Sequence, residues 1–221
     1  MDEKTTILFV TSNSGKLSEA KIALNPFGFN VQAFQFSEET PVIEEIQASE
    51  LRIVAADKLR KAVSIVQDST KNLGVMVEDA GFFLDEFNGF PGVYSSYVHK
   101  SLGINGVLRT LNGIENRKAS FKCVIGIHLD GEEIFFEGEC KGLVSEKALG
   151  TNGFGYDPIF IPNDGDGSTF AQMTSEQKQF FSHRGMAMES LRAHLEGRIQ
   201  SPTSNHGSES KVRRRHNGRF L

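Results

Sequence analysis

Short apolar runs alternate with helix-spaced stretches through the first half of the chain, and two long strand-like runs follow. Residues 6–10 form an apolar run suited to a buried strand, and residues 11–16 a polar turn. Leu17, Ala20, Ile22, Ala23 and Leu24 have helical spacing, stopped by Asn25-Pro26-Phe27-Gly28. A second strand is predicted over 30–36 and a helix over 50–66, with apolar Leu51, Ile53, Val54, Ala55, Leu59, Ala62 and Val66. A strand over 74–77 is expected to end at Glu78-Asp79-Ala80-Gly81, with Phe82-Phe83-Leu84 as a separate apolar segment. Asn88-Gly89-Phe90-Pro91-Gly92 reads as a turn, and 98–111 as a helix. Two strands, 119–129 and 133–144, flank Asp130-Gly131, a hairpin signal. A glycine-rich loop at 150–156 precedes the apolar residues 159–161. Thr174 and Gln177 fit a capping box, and Ser182 caps a last helix running to about Leu195.

This order predicts an α/β fold: a mixed sheet with a second, smaller lobe and a cleft between the lobes, not an all-parallel doubly wound sheet. No linker divides residues 1–200, which read as one domain. The formal net charge of −4 hides an asymmetry. Residues 201–221 carry Lys211, Arg213, Arg214, Arg215 and Arg219 against Glu209, and the rest is acidic. An acidic body argues against nucleic-acid binding by the fold. The tail, rich in Ser, Gly and Asn, reads as a disordered extension, and it is the one segment suited to RNA or an acidic partner. Met1-Asp2-Glu3-Lys4 does not resemble the start of a secretory signal, and no run of roughly 18 apolar residues spans a membrane. Cys123 and Cys140 lack metal-ligand spacing and read as buried small hydrophobes. A cytoplasmic setting is expected.

Four polar clusters carry candidate chemistry. Thr11-Ser12-Asn13-Ser14-Gly15-Lys16 lies between a strand and a helix, where open backbone N–H groups and a lysine suit a phosphate. The same residues also serve as plain helix caps. Glu44-Glu45 and Glu78-Asp79 supply carboxylates, and alternation lets only one of each pair face a given cleft. Two converging carboxylates form a hard-oxygen site suited to Mg²⁺ bridging substrate phosphates; the alternative, stronger for Glu44 and Glu45, is solvated surface acids. Asp79, at a strand end beside a glycine, has the usual place of a ligand-binding residue in an α/β sheet. In Thr151-Asn152-Gly153-Phe154-Gly155-Tyr156-Asp157-Pro158, rings beside glycines can stack on a flat base, and Asp157 can accept from a base edge; the alternative is a tight turn with one core aromatic. Lys178, His183 and Arg184, cations and an imidazole near a helix start, invite an anionic ligand or are surface charge. His99 and His128 have no ligand-like partner and read as structural or surface residues.

In one order, Thr11-x-Asn13-x-x-Lys16, Glu45-Ile46-Gln47, Glu78-Asp79-Ala80-Gly81, Gly89-Phe90-Pro91-Gly92-Val93-Tyr94-Ser95, Phe154-Gly155-Tyr156-Asp157, Phe170-Ala171-Gln172-Met173 and Ser182-His183-Arg184 resemble the inosine triphosphate pyrophosphatase family. The resemblance covers about residues 5–197, and its 78–98 stretch is most like archaeal members. It implies an elongated two-lobed fold and a usual homodimer. It implies Mg²⁺-dependent hydrolysis of ITP, dITP and XTP to the monophosphate and pyrophosphate, which cleans the nucleotide pool. By motif position, Thr11 to Lys16 hold the triphosphate, and Glu45 and Asp79 hold the metal, with Asp79 also the proton acceptor. Phe154 to Asp157, Lys178, His183 and Arg184 hold the nucleoside. Ala80 departs from the family's Ser or Thr, so a hydroxyl contact is missing while the backbone N–H remains. Family members often carry Glu at Gln172 and Asn at Gln179, outside the inferred core. Two other readings compete: a house-cleaning pyrophosphatase for modified pyrimidine nucleotides, and a non-catalytic nucleotide- or RNA-binding regulator using the basic tail.

Overall fold

The structure is a computed structural model that describes residues 5–38, 43–66 and 73–200. The expectations for residues 1–4 and for the basic tail, 201–221, fall outside the described residues. The first four elements are a strand β1 (Thr6–Phe9), a helix α1 (Ser14–Leu24), a strand β2 (Asn30–Ala33) and a helix α2 (Leu51–Val66). Then come β3 (Leu73–Leu84), β4 (Pro91–Gly92), α3 (Ser95–Thr110), β5 (Lys118–Leu129) and β6 (Glu132–Val144). A short β7 (Phe160–Pro162) and the helices α4 (Ser175–Phe181) and α5 (His183–Gln200) complete the fold.

The strands make one mixed sheet in the order β2-β1-β3-β5-β6-β7, with β4 pairing β3. β1 runs parallel to both β2 and β3, and the remaining pairs are antiparallel. The β5–β6 hairpin closes as its sequence predicts, with Asp130 (φ 52°) and Gly131 (φ 83°) in the left-handed conformations that a tight turn with this twist requires. The capping box of α4 forms, with Thr174 accepting from Gln177 N and Gln177 accepting from Thr174 N. Ser182 Oγ accepts from Gly185 N at 3.0 Å and starts α5.

Three long strands serve two cores. At one end Ile7, Met76, Ile125 and Ile127 pack under α1 and α5. Val75 and Val77, on the opposite face of β3, pack under Leu59 and Ala62 of α2. At the other end Phe82, Leu84, Ala119 and Phe121 join Val107, Leu111, Phe160 and Phe170 in a second core. The two lobes therefore share strands instead of being joined by a linker.

Three expectations are corrected. β3 does not stop at residue 77 but runs unbroken for 12 residues through Glu78 and Asp79, because β5 pairs with it from Val75 to Leu84. Gly81 does not end the strand; it lets β4 approach, since a Cβ there would lie 2.5 Å from the carbonyl oxygen of Gly92. α1 starts at Ser14 instead of Leu17, with Asn13 as its cap accepting from Lys16 N at 3.1 Å. α3 starts at Ser95 and is broken at Gly103 (φ 65°, ψ 178°), so the expected single helix is two short ones.

Candidate active site

A gap in the sheet positions the site. β1 stops at Phe9, opposite Met76, and β4 meets the same edge of β3 only at Phe82 and Phe83. Between these contacts, residues 77–81 of β3 have no strand beside them on that edge. β1 also sends α1 to one face of the sheet while α2 lies on the other. The gap is thus the crevice beyond the carboxyl end of β1, where connections diverge and ligands collect in α/β sheets. Asp79 is mid-strand, against expectation, yet it lies in that crevice because its neighbour strand has ended.

A cavity of about 1000 Å³ opens there and reaches from the β1–α1 turn to the second core. Of the residues the sequence singles out, Thr11, Ser12, Asn13, Lys16, Glu45 and Asp79 line it. So do Ala80, Phe154, Gly155, Tyr156, Asp157, Lys178, His183 and Arg184. Ser14 and Gly15 are not among the lining residues. Gly15 instead lets Phe154 lie against α1, where a Cβ would come within 2.4 Å of the ring.

Beneath the cavity runs a continuous buried ionic chain. Lys16 Nζ lies 3.4 Å from Glu78 Oε1. Arg184 donates to both Glu78 oxygens at 2.7 Å and reaches Glu19 with a third nitrogen. Lys178 donates to Glu19 at 2.8 Å and to Asp157 Oδ2 at 2.7 Å, and Phe154 N donates to the same Asp157 oxygen at 2.8 Å. The ring of Phe154 covers Lys178 and Arg184 at 4.9 and 5.4 Å. This overturns surface charge as the reading of Lys178, His183 and Arg184: all three are buried. Lys178 also lies in the last turn of α4, where a cation suits the helix dipole.

Burial works against the charge of Glu78, but Arg184 and then Lys16 outweigh it and hold the carboxyl well below the usual range. Burial dominates at Asp79, raising it to about 6 despite Lys16 and Lys58, with Glu45 and Glu78 adding to the rise. Asp79 Oδ2 is buried with no hydrogen-bond partner among the described residues. Glu45 Oε1 accepts from Lys58 Nζ at 2.6 Å. Of the Glu44-Glu45 pair only Glu45 lines the cavity, while the Glu44 carbonyl is held by Lys61.

A buried carboxylate with an unpartnered oxygen, Asp79, and a solvent-exposed one, Glu45, beside lysines on one cavity suit a hard divalent cation that keeps most of its ligands from water and phosphate. Among the described residues no group of three or more His, Cys, Asp or Glu is gathered that could hold a metal ion, so a protein cage is absent.

At the other end of the cavity, His183 stacks face to face on Phe121, with centroids 4.8 Å apart and planes at 7°. Burial, helped by Arg184, holds its imidazole well below the ordinary range, so it is neutral near pH 7. Its Nδ1 is buried and unpartnered among the described residues. Tyr156 is a core residue, not a free stacking ring: it stacks on Phe82 at 4.6 Å and donates its hydroxyl to Ser95 O at 2.8 Å. His99, expected to be structural or surface, lines the cavity edge-on to Tyr156 at 5.2 Å. Lys58, Ser95, Ser96 and Lys100 also line it and were not foreseen, nor was Glu19 below it. Cys123 and Cys140 are buried free thiols, as expected.

A family model described as the Ham1 family matches residues 7–194. A dITP/XTP pyrophosphatase of Pyrococcus horikoshii is 43% identical over 185 residues, which is 84% of this chain and 94% of that protein. A dITP/XTP pyrophosphatase of Hyperthermus butylicus is 42% identical over 190 residues, 86% of this chain and 94% of that one. The solved structure of the Staphylococcus aureus Ham1 protein superposes with a TM-score of 0.70 at 31% identity, covering 87% of this chain and 99% of that chain. These matches bear out the resemblance and the fold expected from the sequence.

Proposed function

The chain belongs to the Ham1 family, and from that premise we propose that it hydrolyses non-standard purine nucleoside triphosphates, ITP, dITP and XTP, to the monophosphate and pyrophosphate. The observation that carries this reading is the convergence of Glu45, Asp79 and Lys16 on one cavity that also holds Phe154, His183 and Arg184. An anion-binding end and a ring-lined end stand in one space, as a nucleotide requires.

In the reaction a water oxygen bonds to the α-phosphorus and the bond from that phosphorus to the bridging oxygen breaks. Pyrophosphate leaves with the bridging oxygen, and a water proton passes to a carboxylate and on to solvent. Lys16 and the polar turn residues Thr11, Ser12 and Asn13 hold the triphosphate and offset its charge. Asp79 carries the oxygen on which that proton or a metal falls, and at about 6 its carboxyl is ionised at neutral pH yet more basic than an exposed one. Glu45 and Asp79 are the residues that would hold Mg²⁺, which when bound neutralises charge on the phosphate oxygens.

Base selection follows from donors. Arg184 uses three of its nitrogens on Glu78 and Glu19 and keeps spare N–H groups. Donors from Arg184, His183 and local amides match the 6-oxo group of hypoxanthine and xanthine and leave the 6-amino group of adenine unpaired. A panel of ITP, XTP, ATP, GTP, dUTP and methylated UTP tests the reading: preference for the first two supports it, and equal turnover of ATP and ITP or preference for the pyrimidines overturns it.

The proposal extends to a homodimer acting in the cytoplasm. Phe90, Tyr94, Tyr97 and Leu102, exposed on the outer side of the second lobe, support the pairing of two copies. Among the described residues no helix is long and apolar enough to cross a membrane.

A further inference from the structure

The cations lining the cavity differ in one respect. Lys16 is paired with Glu78, Lys58 with Glu45, Lys178 with Glu19 and Asp157, and Arg184 with Glu78 and Glu19. Lys100 also lines the cavity, and among the described residues it has no ion pair. Lys16, Lys58 and Lys100 thus put three ammonium groups on the wall of the cavity that also holds Glu45 and Asp79.

Lys100 comes from the other lobe. The break at Gly103 separates α3 into two parts. Ile104, Val107 and Leu108 pack into the second core, whereas in the part before the break only Ser95 and Val98 are buried. That first part carries Ser95, Ser96, His99 and Lys100 to the cavity wall while Tyr97 is 73% exposed on its outer side. Lys16 and Lys58 stand on α1 and α2, so Lys100 on α3 brings a third ammonium group to the cavity from a separate element.

We propose that Lys100 is a substrate-positioning residue that grips the β- and γ-phosphates, and hence pyrophosphate, from the second lobe. This rests on the proposed triphosphate substrate. A lone ammonium on a flexible stem acts as a point charge, so the contact depends on phosphate charge and not on the base. It holds substrate and transition state alike, which raises KM on removal and spares kcat.

The test measures inorganic pyrophosphate binding by calorimetry in metal-free buffer, together with ITP kinetics and IMP inhibition. Lys100→Ala is expected to weaken pyrophosphate binding and to raise the KM for ITP by about tenfold, with kcat within about twofold. Lys100→Arg is expected to restore both, and IMP inhibition is expected to be unchanged in either variant. Pyrophosphate binding unaltered in Lys100→Ala, no pyrophosphate binding by the native protein, or IMP weakened as much as pyrophosphate would each overturn the assignment. Lys100-dependent pyrophosphate binding without hydrolysis of ITP would overturn the substrate reading and leave Lys100 in place.

Discussion

Glu78 and Asp79 are neighbours on β3 with opposite surroundings: Arg184 forks both oxygens of Glu78, while Asp79 keeps an unpartnered buried oxygen on the cavity side. Strand alternation alone creates this difference. One acid is locked as structure, and the next is left basic and available.

Asp79→Asn is expected to lower turnover of ITP by at least about a hundredfold and to make the metal-free protein more stable. The Asp79 carboxyl is raised from 3.8 to about 6 in the folded state. The fold therefore favours its protonated form, and the associated stability is full below about 4 and lost as pH rises through 6. The amide mimics the protonated acid. At pH 8 in chelator it is expected to gain up to about 3 kcal/mol, shrinking to nearly nothing by pH 4. Urea titrations at both pH values check this, and equal stability of the two proteins at pH 8 would contradict it.

Glu78 carries the reverse sign. Its folded carboxyl is held below the ordinary value, burial being outweighed by Arg184 and Lys16. Its stability is present above the unfolded value and lost as pH falls toward the folded one. Glu78→Ala leaves Arg184 with Glu19 as its remaining partner and is expected to cost about 3–5 kcal/mol at pH 7. Chemical denaturation reads the loss, and a cost under about 1 kcal/mol would mean the buried fork contributes little.

Gly15→Ala is expected to displace the Phe154 ring, because the added Cβ would sit 2.4 Å from its edge. A several-fold rise in KM for ITP with little change in melting temperature is expected. An unchanged KM would show that the ring does not meet the substrate.

Tyr156→Phe removes one buried hydrogen bond, to Ser95 O, and is expected to cost about 1 kcal/mol of stability while turnover stays within about twofold. Phe154→Ala is expected to do the opposite, raising KM by about tenfold with little loss of stability. Reversal of this pattern would mean that Tyr156, not Phe154, faces the nucleotide.

Local signals made much of the fold legible. Asp130-Gly131 closes a hairpin, and Thr174 with Gln177 starts a helix, each by chemistry within a few residues. The continuity of β3 was not legible, because acidic residues and a glycine read as a strand end until β5 and Arg184 are placed beside them. Glu19 was invisible for the same reason: its partners lie 159 and 165 residues away in sequence. Lys58 and Lys100 look like ordinary helix-surface lysines, and His99 like a stray imidazole, until the gap in the sheet faces them. The site motifs themselves were legible, since Thr11, Lys16, Glu45, Asp79, Phe154 and Arg184, far apart in sequence, line one cavity.

Pyrophosphate release from ITP with added Mg²⁺, by the native protein and by Asp79→Asn side by side, tests the central claim most directly. The expected result is stoichiometric pyrophosphate and IMP from the native protein, and at least about a hundredfold less from the variant. Near-native turnover by Asp79→Asn, or orthophosphate and IDP as the products, would contradict it.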